Sequence, residues 1–160
     1  MTVELRKVAY NAHLSQETHA FSAAVFIDGV KAGDVENDGH GGAHRWYPHT
    51  LEARLKAHTD TLPPVELGHG LIVACDPELF VNGLLERYLT ARDLKRLLSK
   101  YVVTIEDRNG KPVVLRSGAF LSNVLPMAIR QMVERHPDAI ILNRLSFKDA
   151  LDLYVHPEGR

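Results

Sequence analysis

The sequence has little of several features that would reveal a chemistry. It contains one cysteine, Cys75, in 160 residues, so an intrachain disulfide and a thiolate metal cluster are both excluded. Its formal net charge is only −1 with the nine histidines counted as neutral, so no global field attracts nucleic acid or an anionic membrane. We therefore expect neither duplex nucleic acid nor a membrane as a partner.

Long apolar segments are lacking as well. The N-terminus MTVELRKVAY mixes charged and apolar residues and has no apolar core of signal-peptide length. Apolar runs such as Leu71 to Ala74 are strand-sized, well short of the roughly twenty residues that span a bilayer. Together with the lone cysteine, which is compatible with a reducing compartment, this predicts a cytoplasmic protein.

The first third of the chain has the pattern of antiparallel strands. Apolar and polar residues alternate from Val3 to Ala12, with one slip that indicates a bulge, and again from Phe21 to Ile27. Asp28-Gly29 is a strong hairpin signal, and Gly33 is expected at a bulge in the returning strand. These features predict a three-stranded antiparallel meander.

The remainder predicts a helical region with a second small hairpin. Helices are expected from a Thr50 cap to about Ala57, from an Asp76-Pro77 start, from Thr90 to Lys100, from Ser122 to Arg135 and from a capping box at Ser146. The hairpin turns at Asn109-Gly110, and short buried strands are expected at Leu71 to Ala74 and Ala139 to Leu142. No linker separates two domains, so we predict a single α+β domain over residues 1 to 160.

The most unusual stretch is NDGHGGAHRWYPH, from Asn37 to His49, with three glycines, three histidines, an arginine and two aromatic residues. Its glycines free the backbone for positive φ, so that successive amides can form a concavity that binds phosphate or carboxylate. Arg45 and His44 add positive charge, and Trp46 and Tyr47 offer faces on which a base stacks. An anion cradle, a cation and a ring platform are what a nucleotide-like ligand needs.

We predict ligand-binding residues along most of this loop: Asn37, Asp38, Gly39, His40, Gly41, Gly42, His44, Arg45, Trp46 and Tyr47. The helix expected at Thr50 adds an N-terminus that favours a nearby anion. The loop matches neither the P-loop pattern nor G-x-G-x-x-G. A competing interpretation is structural, in which the glycines shape a connection and the two aromatic residues pack into the core.

The histidines do not have the spacing of a metal site. His40 and His44 are four residues apart, as on a metal-binding helix, but Gly41 and Gly42 between them disfavour a helix. The sequence contains no H-E-x-x-H or H-x-H pattern and no cysteine to complete a zinc site. We predict no metal and no other cofactor.

Patterns typical of catalysis are weak. No G-x-S-x-G occurs, and Cys75 follows apolar residues that indicate burial. The basic residues between Arg87 and Lys100 are interleaved with acidic ones, as on a solvated helix face. The alternative to a binding protein is a hydrolase or phosphodiesterase in which His40 or His44 acts as acid/base, with or without a metal. A protein-interaction module without a small ligand is a third class.

The opening of the chain resembles a group of small uncharacterised bacterial and phage proteins. The resemblance is carried by YNAHLSQETHAFSA, the DG turn and the NDGHGG loop, in that order, and by ILN at Ile141 to Asn143. It covers about the first quarter of the chain and carries no known activity. What it implies is a small intracellular protein of a phage or other mobile element.

The function we favour is that of a binding protein and not of an enzyme. It holds an anionic, ring-bearing, nucleotide-like small molecule in the loop, as a phage protein that sequesters a signalling nucleotide would. We also expect a homodimer, because a short meander leaves an exposed strand edge that pairing with a second copy would cover. Arg6 and Lys7 offer charged protection to the first strand, and the second strand, Phe21 to Ile27, carries no charge.

Overall fold

A computed structural model of the protein describes residues 1 to 158. The chain divides into two compact units, Met1–Arg87 and the part from Tyr88 onward. Each unit contains helices and antiparallel strands, which confirms the predicted α+β class. The prediction of a single domain stays a prediction.

The first unit is built on a four-stranded antiparallel sheet. Its strands are β1 (Val3–Tyr10), β2 (Ala20–Ile27), β3 (Val30–Asp38) and β4 (Arg45–Tyr47), in the order β1-β2-β3-β4. The predicted three-stranded meander is therefore correct for its three strands but one strand short. The missing strand lies inside the glycine-rich stretch, where three residues are too few to show an alternating pattern.

Turn chemistry explains how these strands pair. Asp28 and Gly29 both have positive φ, 50° and 82°, as a two-residue hairpin turn requires. The predicted bulge in β1 is present beside Lys7, whose φ is 53°. The bulge predicted at Gly33 is present as well, and a Cβ at this position would meet the Tyr47 carbonyl oxygen of β4. Both bulges bend the sheet, and the second lets β4 approach closely.

Two helices and a small hairpin complete the first unit. They are α1 (Thr50–Thr59), the two-stranded sheet β5 (Val65–Glu66) and β6 (Ile72–Val73), and the start of α2 (Pro77–Leu98). The apolar side chains that face inward are fully or nearly fully buried, among them Val25, Val35, Trp46, Leu51, Leu55, Val81 and Leu85. This core fixes one face of the sheet, while the other face stays open.

Three local predictions in this region are wrong. The N-cap of α1 is His49, not Thr50, and its side chain makes no capping hydrogen bond. Helix α2 continues through Thr90, so the capping-box pattern at this residue lies inside a helix and does not start one. The strand predicted as buried at Leu71 to Ala74 is exposed, with 67% of Ile72 accessible to solvent.

The second unit combines a three-stranded sheet with two helices. Its elements after α2 are β7 (Val103–Arg108), β8 (Lys111–Arg116), α3 (Leu125–Arg135), β9 (Ile140–Ile141), a 3₁₀ turn (Leu142–Arg144) and α4 (Phe147–Val155). The strand order is β8-β7-β9, and every pair is antiparallel. The predicted Asn109-Gly110 turn is confirmed, with φ values of 58° and 77°. The Ser146 capping box is confirmed by a hydrogen bond from the Asp149 amide to Ser146 Oγ.

Within residues 1 to 158, no helix has both the length and the apolar character needed to cross a membrane.

Candidate functional site

The glycine- and histidine-rich loop has an inner and an outer side. Asn37, His44 and Trp46 point inward and are 5%, 7% and 3% exposed. The other polar or aromatic side chains that the sequence singled out lie at the surface: Asp38, His40, Arg45 and Tyr47. The structure thus separates the predicted site residues into a buried set, which supports the loop, and an exposed set, which is open to a ligand.

Asn37 joins the two ends of the loop through its side-chain amide. Its Oδ1 accepts hydrogen bonds from the Thr18 hydroxyl and the Gly39 amide, both at 2.8 Å. Its Nδ2 donates to the Gly42 carbonyl at 2.8 Å and lies 3.2 Å from His44 Nδ1. Because a backbone amide only donates and a carbonyl only accepts, the orientation of the Asn37 amide is fixed.

This orientation decides the protonation of His44. The Asn37 Nδ2 group is a donor, so His44 Nδ1 must accept and the ring proton lies on Nε2. Burial lowers the pKa of His44 below its usual 6.5, against the opposing influence of Glu78, Asn82 and Asp76. His44 is therefore a neutral side chain that holds the loop, and it does not supply the positive charge that the sequence suggested.

The surroundings of His44 confirm its burial. Its ring packs edge-on against Phe21 with centroids 5.2 Å apart, and it lies 5.7 Å from Trp46. Its backbone amide donates to a Glu78 carboxylate oxygen at 3.0 Å. His44 Nε2 and Trp46 Nε1 are buried without a hydrogen-bond partner among the described residues.

The loop amides are occupied by the protein itself. Gly39 and Gly41 have positive φ, 89° and 87°, as expected for a nest, but Gly42 does not. The Gly39 amide donates to Asn37, the His40 amide to Asp38 Oδ1 at 3.3 Å, and the Gly41 amide to Thr18 Oγ1 at 3.3 Å. The geometry therefore gives these amides a structural role, and anion binding by them stays a prediction.

A backbone nest does exist beside the loop, and the loop fills it. The amides of Gln16, Glu17 and Thr18 all lie within hydrogen-bond distance of the Gly39 carbonyl oxygen, at 3.0, 3.1 and 3.4 Å. Positive φ at Gly39 is what turns this carbonyl toward them. The segment after β1 thus clamps the loop after β3.

The exposed loop residues form a charged row with β3. Arg45 Nη2 lies 2.7 Å from Asp38 Oδ2, and Arg45 Nη1 lies 3.6 Å from Glu36 Oε1. Tyr47 donates its hydroxyl to Glu36 at 3.1 Å, which raises the pKa of Tyr47. Trp46 is buried, so only Tyr47 of the two predicted ring platforms is accessible, with 48% of it exposed.

A cleft of about 540 Å³ lies beside the loop on the open face of the sheet. It is lined by Ala9, Tyr10, Asn11, Leu14, Ala20, Phe21, Ser22, Glu36, Asn37, Asp38, His40 and Arg45. Strand register puts Ala9, Ser22, Glu36 and Arg45 opposite one another in a row across the four strands. A second cavity of about 280 Å³ adjoins it, shares Ser22 and Glu36, and reaches Tyr47.

Several lining residues were missed by sequence reasoning. Tyr10, Ser22 and Glu36 belong to strands that the sequence treated only as scaffold. Period-two alternation was a usable signal, because it places Glu36 and Asp38 on the same face of β3. Pairing of this face with Ser22 required the register of β2 against β3, which the DG turn and the bulge at Gly33 set together.

The other candidates from the sequence do not line this cleft. Cys75 is buried, and burial raises the pKa of its thiol, so it is not an activated nucleophile. Arg92 and Arg96 on α2 both pair with Asp93. Within residues 1 to 158, no group of three histidine, cysteine or carboxylate side chains is placed to hold a metal ion.

Comparison with known proteins gave no match to a family model, a curated protein or a solved structure.

Proposed function

We propose that the chain is a non-catalytic binding protein for a ring-bearing, nucleotide-like small molecule. The ligand lies on the open face of the first unit's sheet, in the cleft beside the glycine- and histidine-rich loop. The observation that carries the proposal is the cleft itself, which joins four predicted loop residues to strand residues in one concavity. Sequestration of a signalling nucleotide by a phage or mobile-element protein is a role that such a site serves.

The size and lining of the cleft support this class of ligand. Its volume of about 540 Å³ falls in the range of roughly 300–1,000 Å³ typical of small-molecule sites. Tyr10 and Leu14 provide apolar surface, while Asn11 and Ser22 provide donors and acceptors at its edges. Apolar surface with a few convergent polar groups is the usual composition of a site for a flat, polar ring.

The charges favour the sugar and base of such a ligand over its phosphate. Glu36 and Asp38 bring two carboxylates to the cleft, and Arg45 brings one guanidinium that already contacts both. Carboxylates accept hydrogen bonds from hydroxyl and amino groups, as on a ribose or an exocyclic amine. A phosphate would meet one cation and two anions, so we expect it to project toward solvent and contribute little to affinity.

A hydrolytic role receives less support from the geometry. His44 is buried and neutral, with its Nδ1 engaged by Asn37, so it does not contact a molecule in the cleft. The His40 ring is exposed, and no described side chain hydrogen-bonds to it and orients it as a general base requires. The other side chains that line the cleft can bind a ligand without acting as a general acid or base.

Calorimetric titration tests this function with defined probes. The four ribonucleosides and their 5′-monophosphates are titrated into the wild-type chain, into Ser22→Trp, which fills the cleft from its floor, and into Arg54→Trp, an exposed α1 position outside it. We expect at least one nucleoside to bind, with at least ten-fold weaker binding to Ser22→Trp and unchanged binding to Arg54→Trp. Absence of binding by all probes at 1 mM, or equal binding by both variants, contradicts the proposal.

A further inference from the structure

The second unit carries a groove that the proposed function does not use. Three adjoining cavities of about 270, 290 and 280 Å³ follow the C-terminal half of α3 and the segment after it. The first cavity shares Val133 and Arg144 with the third, and His136, Pro137 and Ala139 with the second. They therefore form one continuous groove, which we call the α3–β9 groove.

One wall of the α3–β9 groove is a sheet edge. Strand β9 (Ile140–Ile141) is the outer strand of the order β8-β7-β9, so only one of its sides is paired within the described residues. The central cavity is mostly aliphatic, with Val133 of α3 opposite Ile140, Ile141 and Leu145. A sheet edge beside an apolar helix face is the setting in which proteins take up an extended peptide.

The charges of the groove are unevenly distributed. Arg130 and Arg144 are exposed at one end, accompanied by Glu134, and neither arginine makes an ion pair with a described residue. The other end holds Glu106, Asp107, Arg135, His136 and Asp138. There, Glu106 already faces Arg108 at 3.9 Å and His136 at 4.0 Å. The Arg130 and Arg144 end thus has two arginines and one carboxylate, whereas the other end has three carboxylates and one arginine.

We propose that the α3–β9 groove binds an extended peptide segment in which aliphatic residues adjoin acidic ones. The aliphatic side chains occupy the central cavity against Val133, Ile140 and Leu145. The acidic side chains meet Arg130 and Arg144, whose planar guanidinium groups pair with carboxylates in a bidentate manner. The acidic residues at the far end repel a peptide bound in the reverse direction, so the charges fix its orientation.

Fluorescence anisotropy with labelled peptides tests this site in the full chain. The probe is fluorescein-Glu-Asp-Val-Leu-Ile-Val-amide, and the matched control replaces Glu-Asp by Lys-Lys. We expect the acidic peptide to bind at least five-fold more tightly than the basic one at about 50 mM salt. This preference is expected to shrink at 0.5 M salt, because screening weakens exposed charge pairs.

Variants locate the binding. The double variant Arg130→Gln/Arg144→Gln and the single variant Leu145→Glu are each expected to weaken binding of the acidic peptide at least five-fold. The control Arg54→Gln, on α1 in the other unit, is expected to leave it unchanged. Both groove arginines are exposed and make no ion pair with a described residue, so their removal preserves the fold even if Leu145→Glu does not. Equal affinity for acidic and basic peptides, no binding at 1 mM, or wild-type affinity in the double variant overturns the proposal.

Discussion

At the scale of single residues, Asn37 explains more of the loop than its glycines do. Its amide engages Thr18, Gly39, Gly42 and His44, so one side chain connects the segments after β1 and β3 with the start of β4. Such a network is costly to break, because the released Gly39 amide and His44 ring are buried. The exposed residues of the cleft are held in place by this interior, and three predictions concern it.

Acid is expected to destabilise the protein through His44. Because its pKa is lowered in the folded state, the unfolded chain binds the proton first as pH falls below about 6.5. The free energy of unfolding therefore decreases from that pH down to the lowered pKa, and is unaffected by this group above 6.5. Protonation would also turn an Nδ1–H toward the Asn37 amide donor.

Urea denaturation at pH 7.5 and 5.5 measures this effect. His44→Gln is expected to show a smaller loss of stability between the two pH values than the wild type, and His13→Gln, at an exposed position, the same loss as the wild type. An unchanged pH dependence in His44→Gln would count against the neutral assignment. A ¹⁵N chemical shift of protonated Nδ1 at pH 7 would do so independently.

Gly39 and Gly42 are expected to respond differently to the same substitution. A Cβ on Gly39 would meet the Leu14 carbonyl and lie 2.8 Å from the Ala20 Cβ, at a φ of 89° that side chains rarely adopt. We expect Gly39→Ala to lose about 1–3 kcal/mol of unfolding free energy. A Cβ on Gly42 meets nothing within 4 Å, so Gly42→Ala is expected to change stability by less than about 0.5 kcal/mol.

Thermal and urea unfolding of the two glycine variants check this pair. Calorimetric titration of the same two variants with a nucleotide tests whether the loop amides bind an anion, since binding by a Gly41-Gly42 cradle would make Gly42→Ala lose affinity without losing stability. Equal destabilisation of both variants would mean that the loop backbone is constrained along its whole length, contrary to the contacts seen at Gly42.

The sequence identified the loop but could not predict the pairing or charge of its individual side chains. The loop was recognisable as unusual, and four of its predicted ligand-binding residues do line the cleft. Whether Arg45 is free or paired, and whether His44 is charged or buried, depends on Glu36, Asp38 and Asn37 in three dimensions. Nothing in the residue types alone distinguishes these states.

At the scale of elements, local chemistry predicted turns well and helix limits less well. Asp28-Gly29 and Asn109-Gly110 have the required positive φ, because only a few residue types tolerate it. Helix starts are more ambiguous, since many serine, threonine and aspartate residues have the composition of a cap. Strand β4 forms by pairing with β3, a tertiary contact that overrides local propensity.

Substitution of the two candidate N-caps, Asp76 and Thr50, is expected to lower stability by different amounts. Asp76 accepts a hydrogen bond from the Leu79 amide at 2.8 Å at the start of α2, so Asp76→Ala is expected to lose about 1 kcal/mol. Thr50 is exposed and lies inside α1, whose N-cap is His49, so Thr50→Ala is expected to lose less than about 0.3 kcal/mol. Urea unfolding compares them, and a larger loss for Thr50→Ala would contradict this assignment.

At the scale of the whole molecule, the sheet edges of the first unit do not favour a homodimer. Strand β2, which was expected to leave an uncharged edge, is paired on both sides by β1 and β3. The outer strand β1 is protected by its bulge and by Lys7, and β4 is only three residues long. Neither edge of this sheet therefore needs a second copy of the chain to cover it.

An exposed hairpin gives the dimer prediction a different basis. Leu67, Leu71 and Ile72 on the β5–β6 hairpin are 50%, 57% and 67% exposed, and contact between two copies of this patch would bury all three. Light scattering at tens of micromolar is expected to give twice 17.9 kDa for the wild type and 17.9 kDa for Ile72→Asp. A wild-type mass of 17.9 kDa would contradict the dimer.

The most direct test of the account is a map of where a nucleotide-like molecule binds. Adenosine and adenosine 5′-monophosphate are titrated into ¹⁵N-labelled protein, and the backbone amide shifts are followed. We expect the largest changes at cleft residues Tyr10, Asn11 and Ser22, with similar affinity for both probes. Largest changes confined to the Gly41 and Gly42 amides, with a strong preference for the monophosphate, would contradict the cleft and restore the loop as an anion cradle.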